Sequence, residues 1–427
     1  MKKFAMFLLS GLLLFGVFSG MALAQGITLD VWMMVQADVD LLRAQEEALE
    51  DFKAIYPDID VQFTVFPYVE YRDKLLIAAM AGNPPDVAVV DQIWNPEFSS
   101  AGFIIPLDDY VAASETVNED AFFSGAWDSA LYKGRLYGIP FDVGVWALNY
   151  YNKDHFRAAG LDPEVPPVTW DDFYEYATKL TRDTSGDGII DQWGTALFVG
   201  TGDAIQCITN ALKFSNSGSV LNEDFTRAVL NEPAGVEAME FFKSLQAVNP
   251  AGEVARSEED SFMLFTAGSV SMFWYGEWGQ STVKARAPEM DWGLGNFPKA
   301  EGKTSIGTFG GWNMVIFEQT PYKDAAWKFI EHWTSREVNE KVASLTPANK
   351  EAAVSFLTER RLFPDVILRQ LTTALYRPIF PRYPDLAEVQ RSATTAILLG
   401  QKTVQQALDD AAREIDQLLD EYYAERL

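Results

Sequence analysis

The 427-residue chain has a single cysteine, Cys207, and only two histidines, His155 and His332. A lone cysteine excludes an internal disulfide, and its expected place is the core, as a small apolar residue rather than a reactive thiol. Neither histidine stands in a metal-ligand spacing, so both are expected at the surface or as caps. Positive charge is scarce as well: 34 Lys and Arg face 61 Asp and Glu, a formal net charge of −27. A surface this acidic repels nucleic acid and anionic lipid, keeps a protein in solution and argues against an anionic ligand. Beyond the N-terminal segment no apolar run is long enough to cross a bilayer. Catalytic signatures are missing too, with no G-x-S-x-G nucleophile elbow and no H-E-x-x-H.

What is present begins with a segment of secretory character. Lys2 and Lys3 precede an apolar stretch from Phe4 to Phe18, and Ala22-Leu23-Ala24 forms a small-x-small processing site. The expectation is a signal peptide over 1–24, cleaved before Gln25, with no cysteine there to take a lipid anchor. The remaining 403 residues carry a net charge of −29, because the segment holds two lysines and no acid. That length exceeds what one core supports and implies two domains in a protein released beyond the inner membrane, into a periplasm.

Residues 27–33 read as a buried strand and 38–56 as a helix with Leu42, Leu49, Phe52 and Ile55 inward. Ile59, Val61, Phe63 and Val65 alternate as a strand does; 71–81 read as a second helix, ended by Gly82-Asn83-Pro84-Pro85, and 86–91 as a third strand. This order implies parallel pairing through right-handed crossovers, with ligands beyond the carboxyl ends of the strands, at 32–34, 66–68 and 91–94. From Gly134 to Gly160 a strand passes through a Gly-containing bend into an aromatic strand and a helix start at Asn152, which reads as a passage between lobes. Thr169 with Asp172 forms a capping box for a helix to Leu180, and 233–247 read as a helix with Val236, Met239, Phe242 and Leu245 inward. Strands are expected at 269–275, 292–297 and 312–317. A last helix opens at Thr403 with Gln406 and buries Leu408, Ala411, Ile415, Leu418 and Tyr422.

Several motifs in order resemble a known family. Ala81-Gly82-Asn83-Pro84-Pro85-Asp86-Val87 is similar to a small-Gly-x-x-Pro-Asp-Val turn, and Ala101-Gly102-Phe103-Ile104-Ile105-Pro106-Leu107 to the helix end that follows it. Tyr137-Gly138-Ile139-Pro140 with Tyr150-Tyr151-Asn152-Lys153-Asp154 is similar to a lobe crossing. Phe265-Thr266-Ala267-Gly268 with Tyr275-Gly276-Glu277-Trp278, then Gly310-Gly311-Trp312, and Ala325-Ala326-Trp327-Lys328-Phe329-Ile330 complete the set. Together they resemble the extracellular solute-binding proteins of family 1, the maltose-type group that feeds bacterial ABC importers of sugars. The resemblance implies an α/β, two-lobe periplasmic-binding-protein fold of class II, each lobe a mainly parallel sheet flanked by helices. It implies one lobe of 25–141 plus 298–336 and another of 142–297 plus 337–427. Three hinge crossings are expected near 141–144, near 297–299 and soon after His332. It also implies a monomer that catalyses nothing, needs no cofactor, and works with membrane permease subunits and their cytoplasmic ATPase.

A sugar offers apolar C–H faces and a rim of hydroxyls, so its site needs aromatic plates and carboxylates or amides. Candidate plates at turns and strand ends are Trp32, Tyr68, Trp94, Trp274, Tyr275, Trp278 and Trp312, with Gly311 beside the last. Asp91, Asp142 and Glu277 are candidate hydroxyl acceptors and Arg377 a donor. Each has a plainer alternative: Asp91 as a helix cap, Glu277 as a solvated side chain, Arg377 as a pair within its lobe, and Trp146 as core. Many aromatics on an acidic chain favour a neutral polyol. The alternatives are a polyamine, a glycerol phosphate or, with two carboxylates across a sugar bond, a secreted glycoside hydrolase. One loop has an EF-hand-like start, Asp183, Ser185, Asp187 and Asp191 with Gly188 sixth, but Gly194 stands twelfth where a bidentate Glu belongs. It reads as a structural calcium site or as a turn held by its own side chains.

Overall fold

Apolar residues in the first ninety positions build a sheet whose first strand buries alternate residues and whose third strand is buried throughout. In the computed structural model, which describes residues 26–34, 39–200 and 203–424, these are β1 (Ile27–Met34), β2 (Ile59–Phe66) and β3 (Val87–Asp91). The expected signal segment lies outside the described residues. The remaining strands are β4 (Leu131–Tyr132), β5 (Arg135–Leu136), β6 (Ile139–Trp146), β7 (Leu148–Asn152), β8 (Trp193–Thr195) and β9 (Val270–Tyr275). They end with β10 (Trp292–Gly295), β11 (Thr308–Ile316), β12 (Thr346–Pro347) and β13 (Leu375–Tyr376). The largest sheet has the order β12-β6-β11-β3-β1-β2, with β13 beside the start of β11; a second runs β10-β7-β9-β8, and β4 pairs with β5 alone. β1, β2 and β3 are parallel, β11 runs against both β3 and β6, and in the second sheet β7 alone is reversed. The result is a two-lobe α/β fold of the expected class, except that the second sheet is not mainly parallel: the reversed β7 makes two of its three pairings antiparallel.

Helices settle where their apolar faces find a sheet. The first, Val39–Ile55, turns Leu41, Ala48 and Phe52 inward, while Leu42 and Ile55, expected inside, are 42% and 58% exposed. A face spaced 41, 45, 48, 52 follows the helical period, and Gln45 is buried on it, bonding the Val342 carbonyl. Thr169 and Asp172 form the expected reciprocal capping box, and Thr403 with Gln406 does the same. Cys207 is fully buried. The histidines are half-buried and bonded rather than at the surface: His155 lies 2.9 Å from Ser271 Oγ and His332 lies 3.3 Å from the Ala48 carbonyl.

At two of the expected crossings the chain keeps its earlier contacts. Phe297 packs on Trp274 at 5.0 Å and Lys299 pairs with Thr169, so 297–299 stays with the second sheet. The chain leaves that sheet by entering β11 at Thr308, whose hydroxyl still bonds the Cys207 carbonyl. After His332, the helix Arg336–Val342 still packs on Val39–Ile55, and β12 then pairs with β6. Among the described residues no helix is long and apolar enough to cross a membrane.

Candidate functional site

Three strands meet where β3 ends. Trp312 in β11 is opposite Asp91 on one side and Asp142 on the other, so Asp91, Trp312 and Asp142 form one row across the sheet. The helix Tyr68–Met80, three residues longer at its start than expected, brings Tyr68 over this row. Tyr68 stacks on Trp94 at 5.6 Å, and both stand edge-on to Trp312 at 5.9 Å. Trp94 and Trp312 are buried, while Tyr68 is 39% exposed and presents its ring to solvent.

Asp91 holds this platform to a cation. Its Oδ2 accepts from Tyr68 at 3.2 Å, and its Oδ1 accepts from the Ile93 amide at 3.2 Å and from Arg377 at 3.3 Å. The bond from Ile93 closes a turn rather than capping a helix, since Trp94 precedes the helix Asn95–Ser100 with no side-chain cap bond. Arg377, placed by β13, also donates to Asp203, which precedes the helix Ala204–Phe214 without capping it. Burial pushes the Asp91 carboxyl above its usual range, and the Arg377 charge opposes that. Burial, then the Asp91 charge, likewise pushes the Tyr68 phenol up. Arg377 Nε is buried without an acceptor and lines a small cavity of about 10 Å³ with Gln92, Tyr376 and Pro378.

A second aromatic group joins Trp146, at the end of β6, to Tyr275 and Trp278 at the end of β9. Trp278 lies edge-on to Trp146 at 4.5 Å and to Tyr275 at 5.5 Å, and Tyr275 stacks on Phe262 at 4.3 Å. A Cβ on Gly276 would sit 2.1 Å from the Trp278 ring, which explains the glycine there. Trp146 was expected in the core; it is only partly buried and belongs to this group.

Asp142 and Glu277 face inward rather than toward solvent. Asp142 Oδ2 accepts from Ser344 Oγ at 2.8 Å and the Leu345 amide at 3.2 Å; Glu277 Oε1 accepts from Thr346 through its amide at 3.0 Å and its hydroxyl at 2.9 Å. Arg361 approaches Glu277 at 3.9 Å. Both carboxylates thus brace the third passage, and the alternative of a solvated Glu277 is excluded by its complete burial. Burial drives the Asp142 carboxyl up to about 7 and also raises Glu277, against Arg361.

Two expected plates are elsewhere. Trp274 is a core side chain, 4.5 Å from Phe173 and 5.0 Å from Phe297, because the alternation of β9 sends it to the opposite face from Tyr275. Trp32 is tied to Asp30 at 2.8 Å and packed on Phe66 at 4.7 Å, apart from the Trp94 group. The Asp183 loop is closed on itself. Asp183 accepts from the amides of Gly186 and Gly188, both at 2.7 Å, Asp191 accepts from Thr184 and Ser185, and Asp187 accepts from Ile189. Those backbone donors hold Asp183 and Asp191 below the usual carboxylate range. Among the described residues no group of three or more His, Cys, Asp or Glu could hold a metal ion. Sequence reasoning missed Asp203 and Arg361. Asp203 looks like an ordinary helix cap, and nothing local marks Arg361.

Residues 40–340 match the model of the bacterial extracellular solute-binding proteins. The chain belongs to that family. This solute-binding protein is 26% identical over 430 residues to the sn-glycerol-3-phosphate-binding periplasmic protein of Escherichia coli, covering 93% of this chain and 94% of that one. It is similar to the solute-binding protein of Thermotoga lettingae bound to α-D-tagatose, with a TM-score of 0.79, 26% identity and coverage of 92% and 100%. It is also similar to a maltose-bound protein of T. maritima, with a TM-score of 0.76, 27% identity and coverage of 92% and 100%.

Proposed function

We propose that this protein captures a neutral carbohydrate between its lobes outside the inner membrane and delivers it to an ABC importer, without chemical change. The observation that carries this reading is the pair of aromatic groups, Tyr68–Trp94–Trp312 and Trp146–Tyr275–Trp278, on either side of the Asp91–Arg377–Asp203 cluster. Rings supply surface for C–H faces, and the charged cluster supplies acceptors and donors for hydroxyls. Arg377 is the cation in that cluster and already serves two carboxylates, which disfavours a phosphate ligand. The sugar-bound neighbours are consistent with this choice. The surplus of carboxylate over guanidinium in the same cluster gives a polyamine some support as a rival.

Lobe motion in this account occurs at three places: 141–144 in β6, 308–312 at the start of β11, and 344–347. The lobes divide at these places, and a cleaved segment over 1–24 directs export. Ligand shifts an open and closed equilibrium by its greater affinity for the closed form. Thermal-shift measurement of the purified protein with D-tagatose, maltose, glycerol 3-phosphate and spermidine tests the proposal, since a ligand of the folded state raises the melting temperature. A rise with a neutral sugar, recovered intact, is expected; a rise with glycerol 3-phosphate or spermidine alone rejects the carbohydrate.

A further inference from the structure

Two carboxylates with no exposed surface hold one short segment. Asp142 lies in β6 of the largest sheet and Glu277 follows β9 of the second, yet both reach the residues at β12. Asp142 Oδ2 accepts from the Ser344 and Leu345 amides at 3.3 and 3.2 Å, and Glu277 Oε1 from the Thr346 amide at 3.0 Å. Three consecutive backbone donors are thus divided between two acids. The Glu277 amide in turn donates to the Val145 carbonyl at 3.2 Å, so this residue ties the end of β9 to two strands of the other sheet. Each acid keeps one buried oxygen, Asp142 Oδ1 and Glu277 Oε2, without a hydrogen-bond partner. A carboxyl oxygen placed away from water with nothing to accept from is a site for a proton.

The charges lead to the same conclusion. Arg361 is the cation that opposes Glu277, at 3.9 Å, and its Nε is also unpartnered. Asp142 takes only hydroxyl and amide donors, and the Glu277 charge adds to burial in pushing its carboxyl up to about 7. Beside Asp142, β11 presents Trp312 and β12 presents Pro347, neither of which is charged. From β7 comes Tyr150, whose phenol donates to the Gly276 carbonyl at 2.8 Å and is held neutral by burial and the Glu277 charge. Charged groups on the helices packed against these strands have other partners. Lys350 donates to the Asp120 carbonyl and Glu351 pairs with Arg336; Asp128 accepts from Tyr376, Arg369 donates to Asn296, and Glu258 acts on Tyr275. One guanidinium therefore balances one of two buried carboxylates, and a proton on the pair makes the group neutral.

We propose that Asp142 and Glu277 form a proton-controlled clasp between the two sheets. With one proton on the pair and Arg361 opposite, the group is neutral and holds 344–346 to both acids. When the proton leaves for solvent, a net negative charge stays buried. Its readiest relief is for the segment to part from one carboxylate, which admits water and frees the end of β9 from β12. The clasped form binds more protons than the parted one, so it is favoured in acid and weakens as pH rises toward about 7, then levels off. This rests on the reading of 141–144 and 344–347 as places of lobe motion, and it is independent of which solute binds.

The test is the distance between nitroxide labels on Asn83→Cys and Lys179→Cys, two exposed positions, one before β3 and one in the helix packed on β8 and β9. The buried Cys207 is shielded from the label. Double electron–electron resonance is recorded at pH 5 and pH 7.5 on unliganded protein, with and without Asp142→Asn. The unsubstituted clasp is expected to give a single narrow distribution at pH 5 and a second population at pH 7.5, at least about tenfold more abundant than in acid. Asp142→Asn keeps an acceptor oxygen for the two amides and cannot ionise, so it is expected to stay narrow at both pH values. Glu277→Gln, which leaves one acid for one guanidinium, is read in the same way and carries the test if Asp142→Asn does not fold. Identical distributions at the two pH values overturn the proposal, as does a pH shift that persists in these variants. Saturating D-tagatose or maltose at pH 5 reports lobe motion separately: a shift with sugar but not with pH rejects the clasp alone, and a shift with neither rejects the lobe motion along with it.

Discussion

Arg377 sits where a single side chain decides the charge of the whole site. It is 5% exposed and bonded to Asp91 and Asp203. Removing one partner of a buried ion pair leaves the others desolvated without compensation, so Arg377→Met is expected to cost about 3–5 kcal/mol. Urea unfolding measures this, and a loss under about 1 kcal/mol would show the cluster to be solvated in practice. At Trp278 or Trp312, replacement by Ala is expected to weaken sugar binding by about 1–3 kcal/mol through lost stacking and burial. Unchanged affinity in a folded variant removes that ring from the site. Asp142 gives a pH signature. Its folded pKa is raised to about 7, above that of an unfolded carboxyl, so the folded state holds a proton that the unfolded chain has released. Stability should therefore fall as pH rises from about 4 to about 7 and then level off. Glu277 faces the same space, with its own raised pKa, and Arg361 opposes it. Asp142→Asn is expected to flatten this slope in urea midpoints measured from pH 5 to 7.5; an unchanged slope would show that Asp142 does not carry it.

At the scale of the element, what the sequence could disclose depended on how local the cause was. The box at Thr169 and Asp172, the parallel run β1 to β3 and the burial of Met239 and Phe242 follow from spacing within a few residues. Thr169→Ala should cost about 1 kcal/mol of stability. Leu42 and Ile55 were misplaced because the face of a helix is set by the sheet it meets, and Trp274 because strand phase decides which neighbour of a buried ring faces the cleft. The passages at Thr308 and Ser344 depend on contacts made by distant segments, namely Cys207 with Thr308 and Asp142 with Ser344. No local pattern encodes those. Gly311 was legible only as part of a motif, and its reason became clear once β6 lay against it. Gly311→Ala should lose about 1–3 kcal/mol from backbone strain alone, with the clash on Asp142 adding to it.

At the scale of the molecule, the helix Ala204–Phe214 packs on β11, and Arg377 ties Asp91 to Asp203 at its start. Buried carboxylates brace the passages from within, while the aromatic groups and Arg377 stand beside them. The candidate site was partly legible: Tyr68, Asp91, Trp94, Trp278, Trp312 and Arg377 were named from residue type at strand ends and turns. Trp146, Asp203 and Arg361 were not, because their roles come from partners far along the chain. Elsewhere on the second lobe lies a depression of about 570 Å³, lined by residues including Trp170, Glu237, Glu240 and Lys303. It offers a ring and acids of its own, so it is a fair competitor for a sugar. The most direct measurement is a crystal structure of the protein with the sugar that most raises its melting temperature. The sugar is expected between Trp312 and Trp278, within reach of Asp91 and Arg377. A sugar lodged instead against Trp170 and Glu237, with the first site empty, would contradict it.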